Sequence, residues 1–206
     1  MNAKTMVVAL MAIVAGSCVR ADTSELVPRS HARIYSTLGF SFLPPPGNDW
    51  TEEFGKNQIA YSKETNPRFV TFYAAALEIN LHAPLPDKEA LTAFVKAKKD
   101  EWGTDGRFAN VSSSFLAEPR QESCVRYRMA ANDRVANNRG THEFLLLQTV
   151  GRFCTHPQNA DVAVDIFYSA RHIPGYDAKD LSAEGEEFLN SLAFYTPPDE
   201  SKGDIK

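Results

Sequence analysis

Cysteines, arginines and histidines are the side chains here with the means to do chemistry, and only the first two show an interpretable spacing. Cys124 opens the run Cys124-Val-Arg-Tyr-Arg-Met-Ala130, and Cys154 closes the run Phe144-Leu-Leu-Leu-Gln-Thr-Val-Gly-Arg-Phe-Cys154. Both runs have β-type composition. Asn132 to Gly140 between them is rich in turn formers, so they read as an antiparallel hairpin. Folded about that turn, Cys124 faces Cys154, Val125 faces Phe153, Arg126 faces Arg152, Tyr127 faces Gly151 and Ala131 faces Leu147. Directly opposed residues in an antiparallel ladder stand within the roughly 4.4–6.8 Å Cα separation that a disulfide spans. Closing that loop would stabilise the fold by roughly 3.5 kcal/mol in the chain-entropy account. The competing reading is two unrelated buried thiols.

The same register sets Cys124, Arg126 and Arg128 on one sheet face with Arg152 and Cys154. The next hairpin, folded so that Thr155 faces Val162, puts Asp165 beside Arg152 on that face. The opposite face then collects Val125, Tyr127, Met129, Phe153, Val164, Ile166 and Tyr168 as a core. Directly opposed arginines repel each other. Two readings follow if this register holds, and a different register would dissolve the cluster. Either Asp165 and an acidic helix around Glu184, Glu186 and Glu187 neutralise them, or Arg126, Arg128, Arg152 and Asp165 form a patch that binds an anion or a partner.

Other catalytic templates are missing. His31, His82, His142, His156 and His172 have no His-x-x-x-His or His-x-His spacing, so no metal site is expected. No Gly-x-Ser-x-Gly elbow, Gly-rich phosphate loop or Cys-x-x-Cys pair occurs. Ser112-Ser-Ser114 has no base nearby in sequence. The chain is therefore expected to be no enzyme and to carry no cofactor.

The amino-terminal region suggests an address. Lys4 precedes an unbroken apolar or small run from Met6 to Gly16, the pattern of an export signal over residues 1–21, too short to span a bilayer. Val19-Arg20-Ala21 before Asp22 suits a signal peptidase. Ala15-Gly16-Ser17-Cys18 is close to a bacterial lipobox, with Cys18 as the lipid-bearing residue, except that Ala stands where Leu is usual. On either reading Cys124 and Cys154 remain as a pair for an oxidising compartment. The net charge of −4 becomes −6 once Lys4 and Arg20 are removed, which argues against nucleic-acid binding.

The elements that would position these residues follow in order. Residues 22–33 are polar and read as a linker. Leu38 to Leu43 is a short strand, stopped by Pro44-Pro-Pro46 and anchored by Trp50. Gln58 to Ser62 and Arg68 to Leu81 are strands with a turn at Asn66-Pro67. A helix starts near Asp87, with Leu91, Phe94, Val95, Lys98 and Trp102 at helical spacing, while Lys88, Lys96, Lys99 and Asp100 take other faces. Gly103 ends it. Val111 to Ala117 is a strand, the paired runs around the cysteines follow, and a helix begins near Ser182 with Phe188, Leu189, Leu192 and Tyr195 inward. Residues 196–206 read as a disordered tail. The result is one α+β domain over 34–195, a largely antiparallel sheet of about six to seven strands packed with two main helices.

That order resembles the PsbP-like superfamily, the α/β/α fold shared by the extrinsic photosystem protein and a Ran-binding nuclear import factor. The resemblance rests on Gly39-Phe-Ser-Phe42 with its Pro-rich bend and Trp50, the mid-chain helix, the long hairpins and the closing Glu186-Glu-Phe-Leu-Asn-Ser-Leu-Ala-Phe194. It implies a binding or assembly module without a shared catalytic site, and no functional residue carries over. With the export signal, the reading is a non-catalytic binding module of the cell envelope, periplasmic or tethered as a lipoprotein through Cys18, with an envelope protein or small ligand as partner. One alternative is a small-ligand carrier with a cavity between sheet and helix, lined by Phe94, Trp102, Tyr127 and Phe153. The other is a hydrolase whose site is not legible.

Overall fold

A seven-stranded antiparallel sheet organises the computed structural model, which describes residues 32–65, 70–104, 106–118, 123–134, 144–175 and 180–196. In chain order the strands are β1 (Ile34–Tyr35), β2 (Phe40–Phe42), β3 (Thr51–Gly55), β4 (Gln58–Thr65) and β5 (Val70–Asn80). Helix α1 (Lys88–Asp100) runs into a 3₁₀ turn (Glu101–Gly103), and β6 (Phe108–Ala117), β7 (Cys124–Asp133), β8 (Leu145–His156) and β9 (Asn159–His172) follow. Helix α2 (Asp180–Asn190) and β10 (Ala193–Phe194) close the fold. The large sheet is ordered β3-β4-β5-β9-β8-β7-β6, and β1-β2-β10 form a small second sheet. The α+β class, the seven-stranded sheet and the two helices agree with the sequence. Its first expected strand, however, belongs to the small sheet, and the unforeseen β3 takes the place at the edge of the large one.

Each helix covers one face. Asp87 caps α1 by accepting a hydrogen bond from the Ala90 amide at 2.8 Å, and Lys98 and Lys99 lie in the last turn where the helix dipole favours cations. Leu91 and Val95 bury against Val125, Tyr127, Met129 and Phe153, with the Phe94 ring tilted against that of Phe153, 5.6 Å between centroids. On the other face, Phe188 and Leu189 of α2 join Phe42, Trp50, Phe72, Val164, Ile166 and Tyr168. Gly185 lets α2 approach the sheet closely, since a Cβ there would stand 2.9 Å from Val150 Cγ2. The sequence expectation for α1 is corrected at one step: Lys99 is the buried lysine, and Lys98 is exposed.

The β7–β8 ladder opposes Cys124 to Cys154, Arg126 to Arg152 and Tyr127 to Gly151, and the two cysteines are bonded across it. The β8–β9 ladder differs from expectation by one residue. Arg152 faces Ile166 and Phe153 faces Asp165, so Asp165 lies on the α1 face, away from Arg152. Val164, Ile166 and Tyr168 lie on the α2 face, apart from Val125, Tyr127 and Phe153. The cause is physical. Both faces of β8 and β9 are buried, so no polar face marks the register. An irregularity between Thr155 and His156 also lets both strands run on to a tight turn at Pro157-Gln158.

The expected signal segment at 1–21, Cys18, and all of the linker and tail except Ala32, Arg33 and Thr196 lie outside the described residues. Arg33 is tied to the domain, donating to the Ser191 carbonyl at 2.8 Å.

Candidate functional site

Helix α2 packs chiefly over β8 and β9, and among the described residues no other element covers the neighbouring part of its sheet face on β6 and β7. Alternation along β7 turns Arg126, Arg128 and Ala130 to that face, and the register of β6 adds Leu116, Ser114 and Ser112 opposite them. A shallow cleft of about 370 Å³ lies there, lined by Ser112, Ser114, Arg128, Ala130, Gln148 and Val150. A smaller hollow continues it to the flank of α2, between Leu116, Arg126, Glu186 and Leu189.

The facing arginines of this surface are neutralised internally. Arg126 donates through Nε to Glu118, through Nη1 to Glu186 and through Nη2 to Asn190 Oδ1 at 2.6 Å. Arg152 donates through Nη2 to the other oxygen of Glu118 at 2.6 Å and approaches the Leu189 carbonyl at 3.4 Å. One carboxylate thus bridges two opposed guanidinium groups and removes their repulsion. Burial lowers the pKa of Arg152, with Glu118 pulling it back and Arg126 pushing it down further. Burial alone would lower Arg126 too, but its hydrogen bonds to Glu186 and Glu118 outweigh that and raise it. Arg128 is different. It is exposed and makes no ion pair among the described residues.

Of the four residues expected to form a patch, Arg126, Arg128 and Arg152 share this face and Asp165 does not. Asp165 is buried under α1, 2.5 Å from Lys99 Nζ, and accepts the Tyr127 hydroxyl at 2.7 Å. Lys99 also lies over the Tyr127 ring, 4.3 Å from its centroid. Burial, then the charge and hydrogen bond of Asp165, push the Tyr127 phenol well above its ordinary value. The aromatics named for a ligand cavity fill space instead: Phe94 packs on Phe153, and Trp102 stacks 5.2 Å from Phe108.

Two of the described histidines, His156 and His172, are buried and hydrogen-bonded within the fold, whereas His82 is exposed. His156 accepts the Gln158 amide at Nδ1, so its Nε2 donates to the Gly39 carbonyl at 3.1 Å. His172 Nδ1 lies 2.9 Å from the Ile173 carbonyl. Among the described residues no group of three His, Cys, Asp or Glu could hold a metal, and no helix is long and apolar enough to cross a membrane. Sequence reasoning missed Glu118 because an isolated acid before a proline carries no periodic signal. It also missed that Ser112-Ser-Ser114 lies on an edge strand, although an uncharged run of ten residues was there to be noticed.

No family model matches the chain, and no curated protein matches it. Two solved structures similar to it are the Ran-binding protein Mog1p of Saccharomyces cerevisiae and a single-residue mutant of Mog1. The first has a TM-score of 0.47 at 12% identity over 80% of this chain and 96% of that one. The second has a TM-score of 0.46 at 11% identity over 84% and 98%.

Expectations from the sequence are corrected here. The similar structures are Mog1 proteins, the first of them described as Ran-binding, and no family model matches, so the PsbP-like resemblance is unsupported. The reading as a cell-envelope module or small-ligand carrier, the envelope partner, the tether through Cys18 and the exported or lipoprotein location are withdrawn on the same finding.

Proposed function

We propose that the chain is a non-catalytic protein-binding module that docks its partner on the open β6–β7–β8 face beside α2. The observation that carries this reading is the unequal treatment of the two sheet edges. β3 is five residues long and places Glu52 and Glu53 on its edge, a charge pattern that discourages pairing with another chain. β6 is twice as long, has no charged residue, and exposes Ser112, Ser113, Ser114 and Leu116. Leu116 is 62% exposed beside the cleft. A binder also suits the chemistry of the polar groups. Arg126, Arg152, Lys99, Tyr127 and Asp165 are each engaged by partners within the fold, which leaves Arg128 for an outside one.

The test is to pan the full chain against a random-peptide display library and map selected peptides by hydrogen exchange. Protection at 112–116, 128–130 and 148–150 is the expected footprint. No selected peptide, or peptides whose footprint lies elsewhere, overturns the proposal.

A further inference from the structure

The geometry of this docking face points to a more specific occupant, and the inference rests on that face being the docking surface. We infer that the partner is an extended segment that adds antiparallel to β6 and carries an acidic side chain two residues after an apolar one.

The straight part of the edge is defined by the chain itself. β6 is irregular between Ala109 and Ser112, where Asn110 takes a positive φ of 52°, and from Ser112 to Ala117 it pairs regularly with β7. Among the described residues no strand pairs with its other side, because β6 ends the sheet. Backbone N–H and C=O groups there are available to an added strand.

Side chains set the pattern. Ser114 and Leu116 lie on the cleft face, with Ser114 directly opposite Arg128 in β7. A residue of the added strand opposite Ser114 stands two strand spacings from Arg128, about 10 Å between Cα atoms. Serine is too small to fill that gap, so an extended arginine can reach over it to a carboxylate on the newcomer. The residue opposite Leu116 shares the same face and gains by being apolar. In an antiparallel strand that residue precedes the acidic one, which gives apolar-x-acidic from amino to carboxyl end. A second copy of this chain fits poorly: pairing β6 with β6 about Ser114 turns two uncompensated Arg128 side chains towards each other.

The probe is a fluorescein-labelled dodecapeptide of threonine and serine with a central Leu-Thr-Glu, titrated against the full chain by anisotropy. Leu-Thr-Gln in its place should bind about tenfold more weakly, and Arg128→Glu should cause a similar loss, as expected for a charge-assisted hydrogen bond. A Leu-Thr-Lys peptide should restore binding to Arg128→Glu. On binding, alternate backbone amides between Ser112 and Leu116 should gain exchange protection, which docking through side chains alone would not produce. Binding indifferent to the peptide charge, or without amide protection in β6, overturns the inference. So does dimerisation of the free chain through β6. If library peptides protect the face but ignore Arg128 and the β6 amides, the docking surface survives and this inference fails; if nothing protects the face, the docking surface itself is lost.

Discussion

The ring of Tyr127 crosses the sheet directly over Gly151, its partner in the β7–β8 ladder, and a Cβ on Gly151 would stand 2.1 Å from Tyr127 Cζ. Only hydrogen fits in that position. Gly151→Ala therefore has to displace the ring and break its hydrogen bond to Asp165. The expected loss is about 2–4 kcal/mol, combining overpacking with a buried carboxylate short of a donor. Urea unfolding followed by tryptophan fluorescence measures it. A loss below about 0.5 kcal/mol, the usual surface value, would mean that the ring is not held there.

Tyr127 also predicts the alkaline limit of the fold. An unfolded tyrosine ionises near pH 10, whereas burial and Asp165 hold the native phenol well above that value. The native state thus keeps a proton that the unfolded chain gives up. Its contribution is fully present below about pH 10 and is lost as the pH rises beyond it. Tyr127→Phe should flatten that part of the alkaline decline while costing about 1–3 kcal/mol at neutral pH. Denaturation midpoints of the two proteins across the alkaline range test this, and identical alkaline slopes would refute it.

Lys99 and Lys98 should behave oppositely. Lys99 is buried against Asp165, and Lys98 lies exposed, 3.7 Å from Glu101. Lys99→Met strands a buried carboxylate and should cost about 3–5 kcal/mol. Lys98→Met removes a surface pair and should cost no more than about 0.5 kcal/mol. Equal effects, read from urea midpoints, would place the wrong lysine in the core.

The disulfide joins residues 30 positions apart. Replacing both cysteines by alanine should cost about 3–4 kcal/mol in the loop-entropy account and make stability indifferent to reductant. A variant as stable as the parent would show that the α2-side core supports the two strands by itself.

The sequence reveals some of this fold and hides the rest for definite reasons. The β7–β8 register is legible because a turn-rich stretch joins two β-type runs and leaves one natural folding point. The β8–β9 register is not, since burial on both faces and the irregularity at Thr155/His156 remove the alternation that would fix it. Thr51-Glu-Glu-Phe-Gly55 escapes notice as a strand because it is short and acidic, features that suit an edge. Glu118 bridges two arginines that sequence places opposite each other, yet nothing local marks it. Lys98 and Lys99 are adjacent on α1, and periodicity alone favours the wrong one by a single step.

Cross-strand nuclear Overhauser contacts between the full chain and the bound Leu-Thr-Glu dodecapeptide test the docking edge most directly. The account predicts antiparallel contacts from peptide Hα and amide protons to Ser112–Leu116, with the peptide glutamate beside Arg128. Contacts to β3 or to α1, or a bound peptide with none to β6, would contradict it.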